Sequence, residues 1–345
     1  MRPMRAFRLS VALLVLSLPG SAAAQAMFDL KPVMDGVYAA VAKPAYKINC
    51  NATVIVIDDG VLVVDTHSKP SAARALIEQI KATINKPVKY VVDSHFHWDH
   101  TQGNEAYPTA WPQGVEIISH DATREGIEQK GIPRVKNQII EVPKEIERLK
   151  ADLARATTAA RRTELEGNIR EAESYLAELK AMKFALPTVT FDKSLVLHGK
   201  TRTVQILWLG KGHTDGDAFV YLPREKFLAT GDSLHGWTPY MNDSYPYDWI
   251  KTLKAAQLLD FDYSFGGHGD VMRGKAMFQM WEQYFTDLIS ETTSAYTAGA
   301  SMADAVRRVT SALTPKYGTK MPPTFSGDVV DNIQKVYRVV SGQMQ

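Results

Sequence analysis

The sequence contains little cysteine: its 345 residues include only one, Cys50. A single cysteine excludes an internal disulfide and the zinc modules that are built from several cysteines. The chain also lacks an excess of charge of either sign, since 40 Lys and Arg face 38 Asp and Glu. That balance argues against a nucleic-acid partner, which a strongly basic surface would attract. With 45% hydrophobic residues, the chain can bury an ordinary globular core.

The longest apolar run lies near the beginning and has the pattern of a secretory signal peptide. Three arginines and no acidic residue occur in the first eight positions, an apolar stretch covers 9–18, and small residues follow at 22–24. The stretch is too short to span a bilayer, and the small residues resemble a cleavage site. We expect residues 1–24 to be removed and the protein to be exported, either to the periplasm or out of the cell. An uncleaved membrane anchor is the alternative, and no stable membrane span is expected after cleavage.

The remaining residues, 25–345, have the pattern of one layered α/β domain. Apolar segments at 54–57 and 61–64, separated by a turn that contains Gly60, predict a β-hairpin. A helix is predicted over 72–84 and a strand over 88–92, an order that favours an α/β fold. Further strands are predicted over 188–191, 195–197, 204–209, 218–222 and 227–229. Apolar stripes at helical spacing predict C-terminal helices over about 275–345.

A segment rich in Glu, Lys, Arg, Ala and Leu interrupts the strands between about 143 and 183. Apolar residues keep helical spacing up to Ala160 and again from Leu165, with a step of five between them. This step, next to a capping-box pattern at Thr163, predicts an inserted helical hairpin, and one long helix is the alternative. The hairpin could serve as a lid or as an arm that forms a homo-oligomer. An exposed decoration with mixed charge is an equally simple interpretation.

The residues with the most chemical potential follow the predicted strand 88–92, in the motif His95-Phe96-His97-Trp98-Asp99-His100. In extended backbone, residues i and i+2 lie on the same side, so His95 and His97 can converge on one ion. The turn that follows can direct Asp99 and His100 toward a nearby point. Imidazole nitrogens combined with a carboxylate suit Zn²⁺, and similar sets accept Fe or Mn. The motif therefore predicts a metal site.

Three more candidate ligands occupy loops later in the chain. His213 follows the strand 204–209 and Asp232 follows the strand 227–229, while His268 lies between glycines that allow close approach of the backbone. Loops at strand ends are where such folds commonly place functional residues. We expect these three side chains to join the motif at 95–100.

In this order and context, the motif and the three later residues resemble the metallo-β-lactamase superfamily. The resemblance covers roughly 37–271 and implies a four-layer αββα sandwich, with the metal ions at one edge between two sheets. It implies two zinc ions per chain, each with three ligands of its own and one ligand shared. The ligands of the first are His95, His97 and His213; those of the second are Asp99, His100 and His268; and the shared ligand is Asp232. Asp65 matches an acidic residue beside the family's site that is not a ligand.

Two features of the sequence indicate which members of the superfamily it resembles most. Asp232 occupies the position where some zinc β-lactamases have a cysteine ligand, and Cys50 lies elsewhere. The zinc β-lactamases that keep a histidine in the position of His100 usually lack the bridging aspartate. The combination is therefore similar to glyoxalase II and lactonases rather than to dedicated β-lactamases.

The resemblance implies a zinc-dependent hydrolase for a small-molecule substrate. A metal-activated water, oriented by Asp99, would attack the carbonyl of an ester, lactone, thioester or cyclic amide. Side chains that flank the ligand loops are expected at the rim of the pocket: Trp98, His235, Trp237 and Tyr240. His235 could donate a hydrogen bond to an oxyanion, and an ordinary loop histidine is the alternative.

Other functions are consistent with parts of the pattern. A mononuclear iron dioxygenase acting on persulfides would use two histidines and one aspartate from the same positions, but it would leave His100 and His268 without an ion. A nuclease is disfavoured by the expected export and by the balanced charge. A binding module without catalysis would have no need of the full ligand set.

Overall fold

Two β-sheets form the centre of the structure, a computed structural model that describes residues 27–344. The predicted signal peptide, 1–24, lies outside the described residues, so its cleavage and the export of the protein stay predictions. Within the described residues, no helix is both long and apolar enough to cross a membrane.

The first sheet has seven strands that lie side by side in chain order. They are β1 (Phe28–Met34), β2 (Val37–Ala42), β3 (Ala52–Ile57), β4 (Gly60–Val64), β5 (Val88–Val92), β6 (Glu116–His120) and β7 (Val189–Phe191). The pairs from β1 to β4 are antiparallel, and the pairs from β4 to β7 are parallel.

The second sheet contains six strands from the later part of the chain. They are β8 (Ser194–His198), β9 (Thr203–Trp208), β10 (Ala218–Leu222), β11 (Phe227–Gly231), β12 (Tyr263–Gly266) and β13 (Met272–Arg273). Neighbouring strands pair in this order, antiparallel throughout except for the parallel pair β11 and β12.

Helices connect the strands and cover the outer faces of both sheets. In the described part of the chain the α-helices are α1 (Pro70–Thr83), α2 (Trp98–Thr101), α3 (Ala106–Ala110), α4 (Asp121–Gly126), α5 (Ile132–Arg155), α6 (Ala159–Ala181), α7 (Pro246–Gln257), α8 (Ala276–Thr297), α9 (Met302–Tyr317) and α10 (Phe325–Val340). A 3₁₀ turn occurs at Pro44–Tyr46, and a π-helical turn at Ile127–Gly131 joins α4 to α5.

The layers follow from strands that are apolar on both faces. Successive side chains of a strand point to opposite sides of its sheet. In β3, Val54 packs with the residues of α1, whereas its neighbour Ile55 packs between the two sheets. In β10, Val220 packs between the sheets and Phe219 packs against the C-terminal helices. The result is helix, sheet, sheet, helix, which confirms the predicted αββα sandwich.

The inserted hairpin consists of α5 and α6, and its beginning differs from the predicted position near 143. The first helix starts at Ile132 and continues through Pro143, so the expected start is wrong. A proline inside a helix removes one backbone hydrogen bond. Buried Val135 and Ile146 lie on either side of it, and their packing anchors the helix across this gap.

The turn of the hairpin also lies earlier than the sequence predicted. It occupies 156–158, and the Thr158 hydroxyl accepts a hydrogen bond from the Arg161 N–H at 3.3 Å to cap α6. The capping-box pattern at Thr163 therefore lies inside a helix. The apolar stripe of the first helix ends at buried Ala156, since Ala160, which suggested the later break, is exposed. Two helices, rather than one long helix, are confirmed.

Helix α6 of the hairpin packs against the start of α1 and against the segment that carries the metal motif. Glu178 accepts hydrogen bonds from the Ser71 N–H at 2.8 Å and from the Ser71 hydroxyl at 2.7 Å, at the beginning of α1. The Tyr175 hydroxyl donates to the Gln102 side chain at 3.2 Å. These contacts fix α6 beside the motif, and the expected role of the hairpin in a homo-oligomer stays a prediction.

The C-terminal helices belong to the core, so we expect the shortening of a buried side chain in them to destabilise the whole domain. Leu313 of α9 is fully buried in the cluster that covers the second sheet. Leu313→Ala should lower the free energy of unfolding by about 2–5 kcal/mol, because it leaves a cavity. Leu258 is 88% exposed, so Leu258→Ala should change it by less than about 0.5 kcal/mol. Urea unfolding of the two variants checks this, and equal effects would contradict it.

Candidate metal centre

The predicted ligands lie at the ends of strands that meet at one edge of the two sheets. β4 and β5 are parallel, and so are β11 and β12, so the carboxyl ends of each pair lie side by side. The motif at 95–100 follows β5, Asp232 follows β11, and His268 follows β12. His213 lies in the loop between β9 and β10. The first sheet thus supplies one part of the site and the second sheet supplies the other.

The structure brings together all seven residues predicted as ligands, and all of them are buried. They form three overlapping groups, in each of which the potential ligand atoms lie within 4.8 Å of one another. The groups are His95, His97 and His213; His95, His100 and Asp232; and Asp99, His100 and His268. The first and last groups have the same members as the two ligand sets that the resemblance implies. The middle group connects them into one cluster.

Hydrogen bonds outside the cluster determine which imidazole nitrogens face inward. His97 Nε2–H donates to Asp243 Oδ2 at 2.9 Å, and His213 Nδ1–H donates to the Tyr240 carbonyl oxygen at 3.0 Å. Since these acceptors have no proton to give, His97 Nδ1 and His213 Nε2 carry lone pairs in the neutral rings. The two nitrogens face each other at 2.8 Å. Lone pairs repel at this distance, and a cation bound by both nitrogens removes the repulsion.

Asp65 orients two further histidines, in agreement with the supporting role that the resemblance implies. Its Oδ2 accepts His100 Nδ1–H at 2.9 Å and the Ser94 hydroxyl at 3.0 Å. Ser94 Oγ in turn accepts His95 Nδ1–H at 3.0 Å. His95 and His100 therefore present their Nε2 atoms to the cluster. The Asp65 backbone has φ 68°, in the left-handed region that is unfavourable for most residues and often found at functional sites.

Two aspartates supply the carboxylate oxygens of the cluster. Asp232 Oδ2 lies 3.5 Å from His100 Nε2, 3.7 Å from His213 Nε2 and 3.1 Å from His268 Nε2. Asp99 Oδ2 lies 3.7 Å from His100 Nε2 and 3.6 Å from His268 Nε2. Ligands of a tetrahedral zinc ion are about 3.3 Å apart when the bonds are about 2.0 Å. The separations are close to this value, and Asp232 is near nitrogens of both implied ligand sets.

Several inward-facing atoms of the cluster have no hydrogen-bond partner in the described residues. These buried atoms are His95 Nε2, His100 Nε2 and Asp232 Oδ1. Each buried polar atom without a partner costs about 1–3 kcal/mol of stability, whereas the same atoms are ordinary ligands of a divalent ion. The residues present therefore fit bound metal.

The pKa shifts divide the ligands of the cluster into two kinds. Burial and the neighbouring imidazoles hold the pKa of His95 well below its ordinary value, and burial next to His97 does the same for His213. Burial alone would raise the pKa of Asp232, but His268 and His100 hold it well below its ordinary value. Neutral imidazoles and an ionised carboxylate are the forms that bind metal, and the shifts of His95, His213 and Asp232 favour those forms. Burial alone would lower the pKa of His100 and of His268, but nearby acidic groups, Asp232 among them, raise both. A cation bound at these two rings therefore takes the place of a proton.

Part of the cluster lines a cavity of about 380 Å³, and the four residues predicted at the rim also line it. They are Trp98, His235, Trp237 and Tyr240. His235 Nδ1 accepts the Trp237 N–H at 3.1 Å, so Nε2 carries the proton in the neutral ring. Burial lowers the pKa of His235 to about 3. The side chain is thus an uncharged N–H donor at the cavity.

Several residues that line the cavity or bond to a ligand were not predicted from the sequence. They include Asn49, Arg134, Thr238, Asp243, Thr324 and Asp328. Asn49 Nδ2 donates to Asp99 Oδ2 at 2.7 Å and so restricts the carboxylate of Asp99. No motif marks these residues, and the only available signal was that Asp243 lies in the same loop as Asp232.

Comparison with known proteins identifies the family. The family model of the metallo-beta-lactamase superfamily matches residues 45–268. Because the match covers more than half of the chain and ends on the last ligand of the cluster, this protein belongs to the metallo-β-lactamase superfamily. Among solved structures, it is similar to a metallo-beta-lactamase from Pontibacter korlensis, with a TM-score of 0.55 and 15% identity, covering 75% of this chain and 99% of that chain. At this identity the similarity concerns the fold alone.

Close approach of the backbone at Gly267 is a requirement of the cluster. A β-carbon at this position would overlap Asp232 and the His100 ring. We expect Gly267→Ala to displace these side chains and to weaken the binding of a divalent metal ion by about 10-fold or more. Gly167 on α6 has open space around it, so Gly167→Ala should leave metal binding unchanged. Competition with a chromophoric chelator measures both, and undiminished affinity in a folded Gly267→Ala protein would be inconsistent with this geometry.

Proposed function

We propose that this protein is a hydrolase that binds two zinc ions and cleaves an ester, lactone, thioester or cyclic amide in a small molecule. The observation that carries the proposal is the connected cluster of three ligand groups at the cavity. The group formed by His95, His100 and Asp232 lies between the other two, which supports a pair of neighbouring ions rather than one. Similar sets of ligands accept Fe or Mn, so the choice of zinc is part of the proposal.

The ligand groups would hold divalent ions, which would supply a bound water of lowered pKa and an electrophile for a substrate carbonyl. We assign the orientation of the attacking water to Asp99, and two observations support this: Asn49 holds one of its oxygens at 2.7 Å, and its side chain lines the cavity. His235 Nε2–H is the donor that we assign to the oxyanion of the tetrahedral intermediate. Such a donor contributes most when it is oriented in advance, and the Trp237 N–H bond to its other nitrogen provides that orientation.

The remainder of the cavity supports a small substrate with an apolar part. Trp98, Trp237 and Tyr240 provide aromatic surface at its wall. One protein of known structure with a similar fold is a metallo-beta-lactamase by name, which is a reason to include a β-lactam among the cyclic amides tested. Export through residues 1–24 remains part of the proposal, and we infer no nucleic-acid partner.

A mononuclear iron dioxygenase is the alternative, and the third ligand group counts against it. A two-histidine, one-aspartate iron site would leave His100 and His268 with no ion to bind. In the structure these two side chains form a complete group with Asp99.

The proposal predicts hydrolysis that depends on metal and on the cluster. Protein loaded with zinc should contain about two ions per chain and should cleave at least one substrate of a panel that covers the four bond types. A chelator should abolish turnover, and added zinc should restore it. His97→Ala and Asp232→Ala each remove a ligand, so each should lower kcat/KM by at least about 100-fold.

Metal analysis by mass spectrometry and the hydrolysis panel together decide between the candidates. Two bound ions without any chelator-sensitive hydrolysis would refute the proposed activity. One iron per chain together with oxygen uptake on a persulfide would instead support the dioxygenase.

The role assigned to His235 predicts a selective loss of rate. His235→Phe keeps the ring volume and removes the N–H donor, so kcat should fall by about 10²–10³-fold while KM changes little. His235→Gln retains an N–H group and should recover part of the rate. Steady-state kinetics on the best substrate of the panel measure this. An unchanged kcat in the Phe variant would show that His235 does not act as the oxyanion donor.

A further inference from the structure

Asp243 is the only acceptor recorded for His97 Nε2–H in the described residues, and it lies far from the motif in sequence. It occupies the turn 241–244 between β11 and α7, where the Ser244 N–H and hydroxyl both donate to the Met241 carbonyl oxygen. Its side chain is 11% exposed, and its Oδ2 lies 2.9 Å from His97 Nε2. The same loop supplies the Tyr240 carbonyl that orients His213. One loop therefore orients two of the three imidazoles in the first ligand group.

Arg134 holds the Asp243 carboxylate from the opposite side. Its Nη1 donates to Oδ2 at 2.7 Å and its Nη2 donates to Oδ1 at 2.8 Å, which is the bidentate geometry of a strong charge-assisted pair. The guanidinium also lies 5.5 Å from the centre of the Phe96 ring. Phe96 belongs to the metal motif, so Arg134 contacts the motif both directly and through Asp243.

The orientation of the His97 ring depends on Asp243 and Arg134, whereas the rings of His95 and His100 are oriented by other residues. Without an acceptor at Nε2, a neutral imidazole can carry its proton on Nδ1 instead, and Nδ1 is then unable to bind a metal. His95 and His100 are oriented from within the first sheet, through Ser94 and Asp65. His97 is oriented by a loop of the second sheet, and that loop is held by the inserted hairpin.

We propose that Asp243 and Arg134 are positioning residues for the metal ligand His97, and that the inserted hairpin thereby sets the affinity of the first ligand group for zinc. The inference rests on the metal site of the proposed function. It assigns to α5 a defined task at the site, through hydrogen bonds of 2.7 Å, 2.8 Å and 2.9 Å that lead from Arg134 to His97.

The test is zinc affinity in the absence of substrate. Full-length protein freed of metal is titrated with zinc against a chromophoric chelator. Removing an outer partner of a ligating histidine typically costs about 10–100-fold in metal affinity, so we expect a loss of this size for Asp243→Ala and Asp243→Asn. Arg134→Ala should weaken zinc binding by a smaller factor, and Arg134→Lys should recover part of the loss. Arg148→Ala is the matched control. Arg148 lies on the same helix, and its ion pair is with Glu145, one turn earlier on that helix.

A double-mutant cycle separates positioning from an independent effect. If Arg134 acts through Asp243, then Arg134→Ala should cause no further loss in the Asp243→Ala protein. Cobalt-substituted protein provides a second measurement, since its visible absorption depends on coordination geometry and should change in both single variants. Additive losses would overturn the inference, because Arg134 would then act independently of Asp243. An Arg134→Ala protein with normal zinc affinity and only a raised KM would also overturn it, and would make Arg134 a direct substrate contact.

His97→Ala distinguishes failure of this inference from failure of the proposed function. If His97→Ala leaves zinc binding intact, the proposed metal site itself is wrong. If His97→Ala weakens zinc binding while Asp243→Ala does not, only the positioning role is wrong. Thermal unfolding of the metal-free variants controls for stability. Should Asp243→Ala fail to fold, Asp243→Asn and the Arg134 series still decide the question, because the Arg134 side chain is 45% exposed and its replacement opens no core cavity.

Discussion

The site depends on a cluster of buried polar side chains in which several inward atoms have no hydrogen-bond partner among the described residues. His97 Nδ1 and His213 Nε2 face each other at 2.8 Å, each as an acceptor in its neutral form. The inward Nε2 atoms of His95 and His100 have no hydrogen-bond partner in the described residues. Such a cluster is unfavourable unless cations occupy it. Hydrogen bonds from outside the cluster orient four of its five imidazoles, through the Ser94 hydroxyl, the carboxylates of Asp65 and Asp243, and the Tyr240 carbonyl oxygen.

The fold meets this requirement by dividing the site between its two sheets. The first sheet provides the motif after β5, and the second provides Asp232, His213 and His268. No ligand group is complete within one sheet, so correct packing of the sheets precedes metal binding. Hydrogen bonds from the Asn51 N–H to the Gly267 carbonyl, at 2.7 Å, and from the Ala218 N–H to the Ser94 carbonyl, at 2.8 Å, connect the sheets beside the ligands. The apolar layer between the sheets thus serves the metal site as well as stability.

The sequence predicted those parts of the structure that depend on local patterns. The spacing of the motif at 95–100 and the position of each later ligand after a strand were sufficient to identify all seven side chains of the cluster. The start of the hairpin was wrong because the prediction followed the change in composition near 143, whereas α5 begins at Ile132 and continues through Pro143. Arg134 and Asp243 were invisible, since their contact joins residues 109 positions apart and neither belongs to a motif. Long-range polar contacts of this kind are determined by the docking of loops and helices.

The connection between the hairpin and the cluster also limits which properties the hairpin can influence. The core between the sheets contains no residue of α5 or α6, so a change in the hairpin has little effect on the packing that brings the ligands together. The hairpin instead reaches the site through Arg134 and Asp243, at the one imidazole of the first ligand group whose outward nitrogen bonds to a carboxylate in a loop. A shift of α5 would therefore act on the orientation of His97 before it acts on the fold. If Arg134 has the proposed positioning role, changes in the insert should alter metal affinity before they alter the packing between the sheets.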